Sequence, residues 1–332
     1  MPSSSIPLTL LTGFLGSGKT TLLNRLLRAP TLAGTAVLIN EVGEVGIDQL
    51  IVDRDDDEVL LLESGCVCCS MRGDLPQALN ELRERFASGR LAHLDRVVVE
   101  TTGLADPAPV IRTLIRDFAL ARHFRLDGVV ATLDPQHSGW QLAQYPEARR
   151  QIAQADQIVL SKCDLAEEAE IAEALAQIAA LNPSAALHRG DALPEALELL
   201  TGHAGTGWLS VEAPRPSLGG RSAPPHSTGI ATHLLRLENP VVWADFAAAI
   251  DLLLEAAGAH ILRLKGLVAV AGEDSPHVLH AVQNQRYPDS QLPAWPDADR
   301  ASRLVFITQD LPRAALVQAF ETLCGIAPLP PA

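Results

Sequence analysis

Gly13-Phe14-Leu15-Gly16-Ser17-Gly18-Lys19-Thr20 satisfies the pattern G-x-x-x-x-G-K-[ST] at every position. Gly13, Gly16 and Gly18 let the backbone curl around Ser17, so that its N–H groups and the opening turn of the next helix face phosphate oxygens. Lys19 supplies a cation for the β- and γ-phosphates, and the Thr20 hydroxyl supplies a ligand for Mg²⁺. Thr21 follows at the phosphate end of the same helix. An apolar run precedes the motif, and Thr21-Leu22-Leu23-Asn24-Arg25-Leu26-Leu27 continues it with helical spacing, which is the strand–loop–helix context the chemistry needs. These residues bind a nucleoside polyphosphate.

Two further segments bear on which nucleotide and which reaction. Val97-Val98-Val99-Glu100-Thr101-Thr102-Gly103 ends an apolar strand in an acid with a glycine three residues on, the spacing of a D-x-x-G element with Glu for Asp. Glu100 is suited to hold Mg²⁺ through water, and the Gly103 N–H to sense a γ-phosphate, the contact that turns hydrolysis into movement. Lys19 and Glu100 are therefore the candidate catalytic residues. Ser161-Lys162-Cys163-Asp164 follows the strand Gln157–Leu160 and resembles N-K-x-D with Ser for Asn. Asp164 can accept from N1–H and the 2-amino group of guanine while the Lys162 stem covers the ring. Adenine offers neither donor and would leave the carboxylate unpaired. The base is read as guanine. Asp134, just after Val129–Leu133, reads as an ordinary loop residue.

Cys66, Cys68 and Cys69 crowd into Gly65-Cys66-Val67-Cys68-Cys69, while Cys163 and Cys324 stand alone. Thiols this close bridge one another poorly. They can converge on one soft cation such as Zn²⁺, which takes thiolates in tetrahedral geometry. Three thiolates leave a fourth position open, an arrangement that suits delivery better than a closed structural site. Glu41, with Glu44 beside it in Asn40-Glu41-Val42-Gly43-Glu44, is the candidate to complete the coordination. The acidic run Asp53–Glu58 lacks an EF-hand glycine and reads as a solvated loop. His277 and His280 read as strand residues rather than a metal pair.

Composition limits the partners. The chain has 332 residues, 47% of them hydrophobic but only 4% aromatic, with a net charge of −14. Disorder is excluded as the main state, and the acidic surface excludes nucleic acid and anionic membrane as bulk partners. No run approaches the roughly 18 apolar residues of a membrane span. Met1-Pro2-Ser3-Ser4-Ser5 lacks the basic and apolar regions of a signal peptide, and clustered thiols suit a reducing compartment, so a cytoplasmic location is expected.

The elements that must position these residues alternate. β-rich runs at Pro7–Thr12, Thr35–Asn40, Val59–Leu62, Arg96–Glu100, Asp127–Leu133 and Gln157–Ser161 are interleaved with helical patterns at Lys19–Arg28, Leu75–Phe86, Pro107–Phe118 and Glu167–Leu181. Strands without polar alternation are buried on both faces, which predicts a doubly wound α/β domain with a mainly parallel sheet. The expected division is residues 1–203 for this P-loop domain with its cysteine motif, 204–229 for a Pro/Gly-rich linker, and 230–332 for a small α+β domain. In the last, a strand at Ile230–Leu237, a helix to Ala257, strands around Ala259–Ala271, His277–Val282 and Arg303–Thr308, and a closing helix Leu311–Leu323 are expected.

In order along the chain, the phosphate loop, Asn40-Glu41-Val42-Gly43-Glu44, Gly65-Cys66-Val67-Cys68-Cys69, Glu100-Thr101-Thr102-Gly103-Leu104-Ala105-Asp106-Pro107 and Ser161-Lys162-Cys163-Asp164 resemble the CobW family of GTPases. Arg263-Leu264-Lys265-Gly266 and Arg303-Leu304-Val305-Phe306-Ile307 resemble that family's C-terminal domain. The resemblance implies a GTP-hydrolysing metallochaperone that cycles between GTP and GDP with Mg²⁺. It also implies that Cys66, Cys68 and Cys69 bind zinc, with cobalt or another divalent metal as the alternative, for a client metalloprotein. A homodimer is an open option. Ser161 departs from the family's Asn, and the absence of a histidine-rich tract argues against metal storage. Slow intrinsic turnover is expected, since no activating arginine or water-orienting glutamine is identifiable. Two other readings stay open: a P-loop small-molecule kinase with structural cysteines, and a nucleotide-binding metal sensor without turnover.

Overall fold

The computed structural model describes residues 5–39, 61–63, 71–201 and 229–329. The chain divides into two compact units, Met1–Ala176 with Ala185–Ala204, and Gln177–Ser184 with Gly205–Ala332.

The first unit is built on β1 (Ile6–Gly13), α1 (Lys19–Leu26), β2 (Thr35–Ile39), β3 (Leu61–Glu63), α2 (Met71–Ala87), β4 (Arg96–Glu100), α3 (Pro107–Arg116), α4 (Phe118–Ala121), β5 (Phe124–Leu133), α5 (Ser138–Gln144), α6 (Pro146–Gln154), β6 (Gln157–Leu160), α7 (Glu168–Leu181, of which the residues from Gln177 on are assigned to the second unit), β7 (Ala186–Arg189) and α8 (Ala196–Leu200). Its seven strands run in the order β3-β2-β4-β1-β5-β6-β7, and every adjacent pair is parallel. Leu8, Leu10, Leu11, Val97, Val98 and Val129 are all completely buried, as strands covered by helices on both faces must be. The chain leaves β1 toward β2 and returns to its other side as β5. The carboxyl ends of β1, β4, β5 and β6 therefore meet at the switch point where a doubly wound sheet takes its ligand.

Local chemistry fixes the segments that reach this crevice. The Asp106 carboxylate accepts from Ala108 N at 3.0 Å and caps α3, whose first residue is Pro107. Pro107, Val110, Ile111 and Leu114, at i, i+3, i+4 and i+7, form the helix's buried stripe. At the far end of the sheet Arg96 is buried in β4 because Asp127 Oδ2 at 2.8 Å and Thr9 Oγ1 at 3.1 Å receive its Nη1.

Some boundaries differ from those expected. β5 starts at Phe124 rather than Asp127, because pairing with β1 begins at Ile6 and breaks register once, between Leu8 and Thr9. β7 is an edge strand with little burial, so its hydrophobic signal is weak. Helix α2 begins at Met71 rather than near Asp74. The strand expected at Val59–Leu62 is β3, Leu61–Glu63, with residues 59 and 60 outside the described part.

The second unit contains β8 (Ile230–Leu237), α9 (Trp243–Ala257), β9 (Ile261–Val268), β10 (His277–Val282), β11 (Gln285–Arg286), β12 (Ser290–Gln291), β13 (Ser302–Gln309) and α10 (Arg313–Cys324). Its sheet follows the order β11-β10-β9-β13-β8, with β12 added to β10, and all its pairs are antiparallel. Alternate residues Leu235, Leu264, Leu279, Leu304 and Phe306 pack with Phe246 and Ile250 of α9 and with Leu316 and Phe320 of α10. The last helix opens at Arg313 rather than Leu311, since Pro312 occupies its cap position and the Leu311 carbonyl accepts from Thr308 Oγ1. No helix among the described residues is long and apolar enough to cross a membrane.

Candidate nucleotide site

β1 ends in Gly13, whose φ of 141° only glycine adopts readily, and whose Cα faces Thr132 and Ser17 too closely for a side chain. A Cβ there would lie 2.4 Å from Thr132 Oγ1 and 2.6 Å from the Thr132 carbonyl. Ser17 is fully buried and its Oγ lies 2.6 Å from Thr132 Oγ1 at the end of β5. Gly16 turns into open space, and Gly18, at φ 87°, caps α1. Lys19 folds back over the loop, donating from Nζ to the Gly13 carbonyl at 2.9 Å and the Phe14 carbonyl at 3.2 Å. Thr21 lies on the exposed side of α1.

Thr20 Oγ1 donates to Glu100 Oε1 at 2.7 Å, joining the phosphate loop to the end of β4 across 80 residues of sequence. Glu100 is only 3% exposed. These are the hydroxyl and the carboxylate that the sequence nominated for Mg²⁺, and hard oxygen donors side by side fit that ion. Beyond Glu100, Thr101 N donates to the Leu11 carbonyl and the Thr101 and Thr12 hydroxyls meet at 3.0 Å. Gly103 then comes so close to the loop that a Cβ would lie 2.6 Å from Leu15 N. Any other residue there would push the segment off the phosphate loop.

Ser161-Lys162-Cys163-Asp164, expected from the sequence to read the base, follows β6, on the other side of β1 from β4. A Cβ on Gly18 would sit 3.3 Å from Ser161 Cβ, so the small residue at position 161 abuts the start of α1. Lys162 adopts φ 50° and its Nζ meets Asp134 Oδ2 at 2.8 Å. Asp134 is thus a buried counter-ion, a role its bare position after β5 does not reveal. Cys163 is buried with Sγ 3.2 Å from the Leu160 carbonyl, and burial pushes its thiol up, keeping it protonated. Asp164 is exposed.

Two supports were not visible in the sequence. Gly190, after β7, donates its N–H to the Leu160 carbonyl at 2.7 Å, and its own carbonyl accepts from Arg25 of α1. A Cβ on Gly190 would lie 2.9 Å from that Leu160 oxygen, so glycine permits the close packing. Next to it Arg189 forks onto Asp191 at 3.2 Å through two nitrogens, which holds the carboxyl below its usual range. A glycine ending a short alternating run was the one available signal. The second support is α6, whose Tyr145 cap packs its ring 4.5 Å from the Phe14 ring.

Cys66, Cys68, Cys69 and Glu41 lie outside the described residues. Among the described residues no three His, Cys, Asp or Glu side chains gather as a metal-holding group. His277 and His280, three apart on β10, point to opposite faces. His277 pairs with Glu273 at 2.9 Å and packs at a tilt against the Trp243 ring, while His280 meets the Tyr287 ring edge-on.

The nucleotide-binding domain of the CobW/HypB/UreG family matches residues 7–189, and the cobalamin synthesis protein CobW C-terminal domain matches residues 230–324. The chain belongs to the CobW family. It is 34% identical over 322 residues to the zinc chaperone YjiA of Escherichia coli, covering 96% of this chain and 98% of that protein. It is 29% identical to the zinc chaperone CobW of Pseudomonas aeruginosa, over 96% of this chain and 92% of that one. The crystal structure of Zn(II)-bound YjiA GTPase superposes with a TM-score of 0.69 and 31% identity, covering 96% of this chain and 99% of the other. The CobW fold, a parallel P-loop sheet with a separate antiparallel C-terminal domain, is the one described above.

Proposed function

We propose that this chain is a cytoplasmic GTP-hydrolysing metallochaperone. It binds a transition metal, zinc first, through Cys66, Cys68 and Cys69 with Glu41, and couples its nucleotide state to transfer of that metal to a client metalloprotein. The observation that carries the hydrolytic part is the Thr20–Glu100 contact at 2.7 Å beside the buried Lys19. It brings a phosphate-loop hydroxyl and a strand-end carboxylate together at one point, where a structural turn would have no use for either. The family and the zinc-chaperone relatives support the metal part.

In this reading the loop from Gly13 to Thr21 cradles the phosphates, with Lys19 countering the charge of the β- and γ-groups. Thr20 and Glu100 would hold Mg²⁺, which supplies neutralisation of the phosphate oxygens. Gly103 N–H senses the γ-phosphate, and Lys162 with Asp164 selects guanine. Water attacks the γ-phosphorus, the bond to the β-γ bridging oxygen breaks, and GDP and inorganic phosphate leave. Residues 1–203 constitute the GTPase domain, 204–229 the linker and 230–332 the C-terminal domain; a homodimer is compatible with this arrangement.

The test is product analysis with the full chain, GTP, Mg²⁺ and zinc. Release of inorganic phosphate, with a zinc affinity that differs between GDP and a non-hydrolysable GTP analogue, is the expected result. Phosphate appearing on a small-molecule acceptor would make the chain a kinase, and binding without turnover would make it a sensor.

A further inference from the structure

The segment that carries Gly103 is held by the buried face of one helix, α6. Gln151 of α6 is 1% exposed, and its Nε2 donates to the Gly103 carbonyl at 3.1 Å and the Ala105 carbonyl at 3.0 Å. Gly103 and Ala105 are themselves buried. One turn on, Gln154 Nε2 donates to Asp106 Oδ1 at 3.1 Å, and Arg150 Nη1 lies 3.4 Å from Asp106 Oδ2. At its other end α6 is capped by Tyr145, packed on Phe14 of the phosphate loop. One helix therefore grips both segments that face the phosphates.

We infer that Gln151 is a positioning residue that sets where Gly103 stands relative to a γ-phosphate, and so sets the chain's discrimination between GTP and GDP. This rests on the GTPase reading above. The physical reason is the cost of stranding buried carbonyls. When the segment shifts by a fraction of an ångström, Gln151 must follow or the Gly103 and Ala105 carbonyls lose their donor with no water to replace it. The amide has two N–H groups and uses them on two carbonyls of one short segment, which fixes that segment's height above Leu15. Gln151 does not touch the nucleotide; it acts through Gly103.

The test compares the full-length chain with Gln151→Met, which keeps length but removes both donors, and Gln151→Glu, which offers a donor only when protonated. For each, the affinities for GDP and a non-hydrolysable GTP analogue are titrated, and kcat for GTP is measured from pH 5.5 to 8. The expected result for Gln151→Met is a loss of about tenfold in the preference for the GTP analogue over GDP and in kcat, with GDP affinity unchanged. Gln151→Glu should show the same loss at pH 8 and regain part of it as pH falls, and it decides the matter if the Met variant does not fold. A preference unchanged in both variants overturns the inference. So does equal weakening for both nucleotides, which would mark Gln151 as a structural tie only. Wild-type chain that binds GTP without turnover, yet loses the preference in the variants, would overturn the hydrolytic reading and leave the positioning role standing. Wild-type chain that does not bind guanine nucleotides would overturn both.

Discussion

Lys162 Nζ stands 2.8 Å from Asp134 Oδ2, and Asp134 is buried to within 2% of complete exclusion from solvent. The carboxylate also accepts from Gln136 N at 3.0 Å and faces His137 Nδ1 at 3.2 Å. A charge this deep needs a cation, and the left-handed backbone at Lys162 directs its side chain there. The Lys162 stem, proposed above to cover the base, is thereby tied down. Asp134→Asn should weaken GTP and GDP equally, by about tenfold or ~1.4 kcal/mol, because the stem touches the base both share. Asp164→Ala should instead erode the preference for GTP over ATP. Calorimetric titration of GTP, GDP and ATP checks both, and unchanged GDP affinity in Asp134→Asn would detach Asp134 from the base site.

Lys19→Ala should abolish hydrolysis, and it should also loosen the loop. An exposed lysine would take charge with it and little packing. Lys19 is in fact buried and bonded to the carbonyls of Gly13 and Phe14, so roughly 1–3 kcal/mol of stability is expected to go with it. Phosphate release and a thermal melt on the same sample report the two effects separately. Turnover at the wild-type rate would sink the assignment of the loop.

Motif residues with their own backbone signature were legible in the sequence: the glycines of the loop, Lys19 and Thr20, and the strand-end Glu100. The supports were not. Gln151 and Gln154 sit in Pro146-Glu147-Ala148-Arg149-Arg150-Gln151-Ile152-Ala153-Gln154, a stretch whose polarity suggests a surface helix, and both are buried because the Gly103 and Ala105 carbonyls receive Gln151 and the Asp106 carboxylate receives Gln154. Asp134 and Gly190 owe their roles to strands brought together from distant positions, which no local spacing records. The edge strand β7 escaped notice for the same reason that it is exposed: nothing on its outer side requires apolar residues.

Serine substitution at Cys66, Cys68 or Cys69 should each weaken zinc binding strongly, since a hydroxyl rarely ionises and is a poor partner for a soft site. Binding to the native thiols should release protons, so affinity should rise with pH until they are deprotonated. Competition with a chromophoric chelator at several pH values measures both. Zinc affinity that ignores all three substitutions would move the metal site elsewhere.

Acid should destabilise the first unit through His188. Burial lowers its proton affinity below the ordinary value of 6.5, with Glu198 opposing in part. Gln157 directs its amide nitrogen at the carbonyls of Glu198 and Thr201, so its Oε1 accepts from His188 Nε2–H at 2.7 Å. The folded chain prefers the neutral ring and the unfolded chain takes the proton more readily. Stability from this residue is complete above about pH 6.5 and drains as pH falls below it. Melting temperature should drop between pH 6.5 and 5, and His188→Gln should flatten that drop. An identical slope in the variant would assign the acid sensitivity to other groups.

The ring of Tyr145 lies between Phe14 of the phosphate loop and Trp140, whose indole is 57% exposed and meets Tyr145 edge-on at 5.1 Å. The remaining tryptophans are Trp208, Trp243 and Trp295. Trp243 and Trp295 belong to the second unit, and Trp208 lies outside the described residues. The chain thus carries its own fluorophore one ring away from the phosphate loop. Any shift of Phe14 when phosphates arrive reaches the indole as altered quenching and colour, so loading can be followed in real time by ultraviolet emission, without attaching a dye.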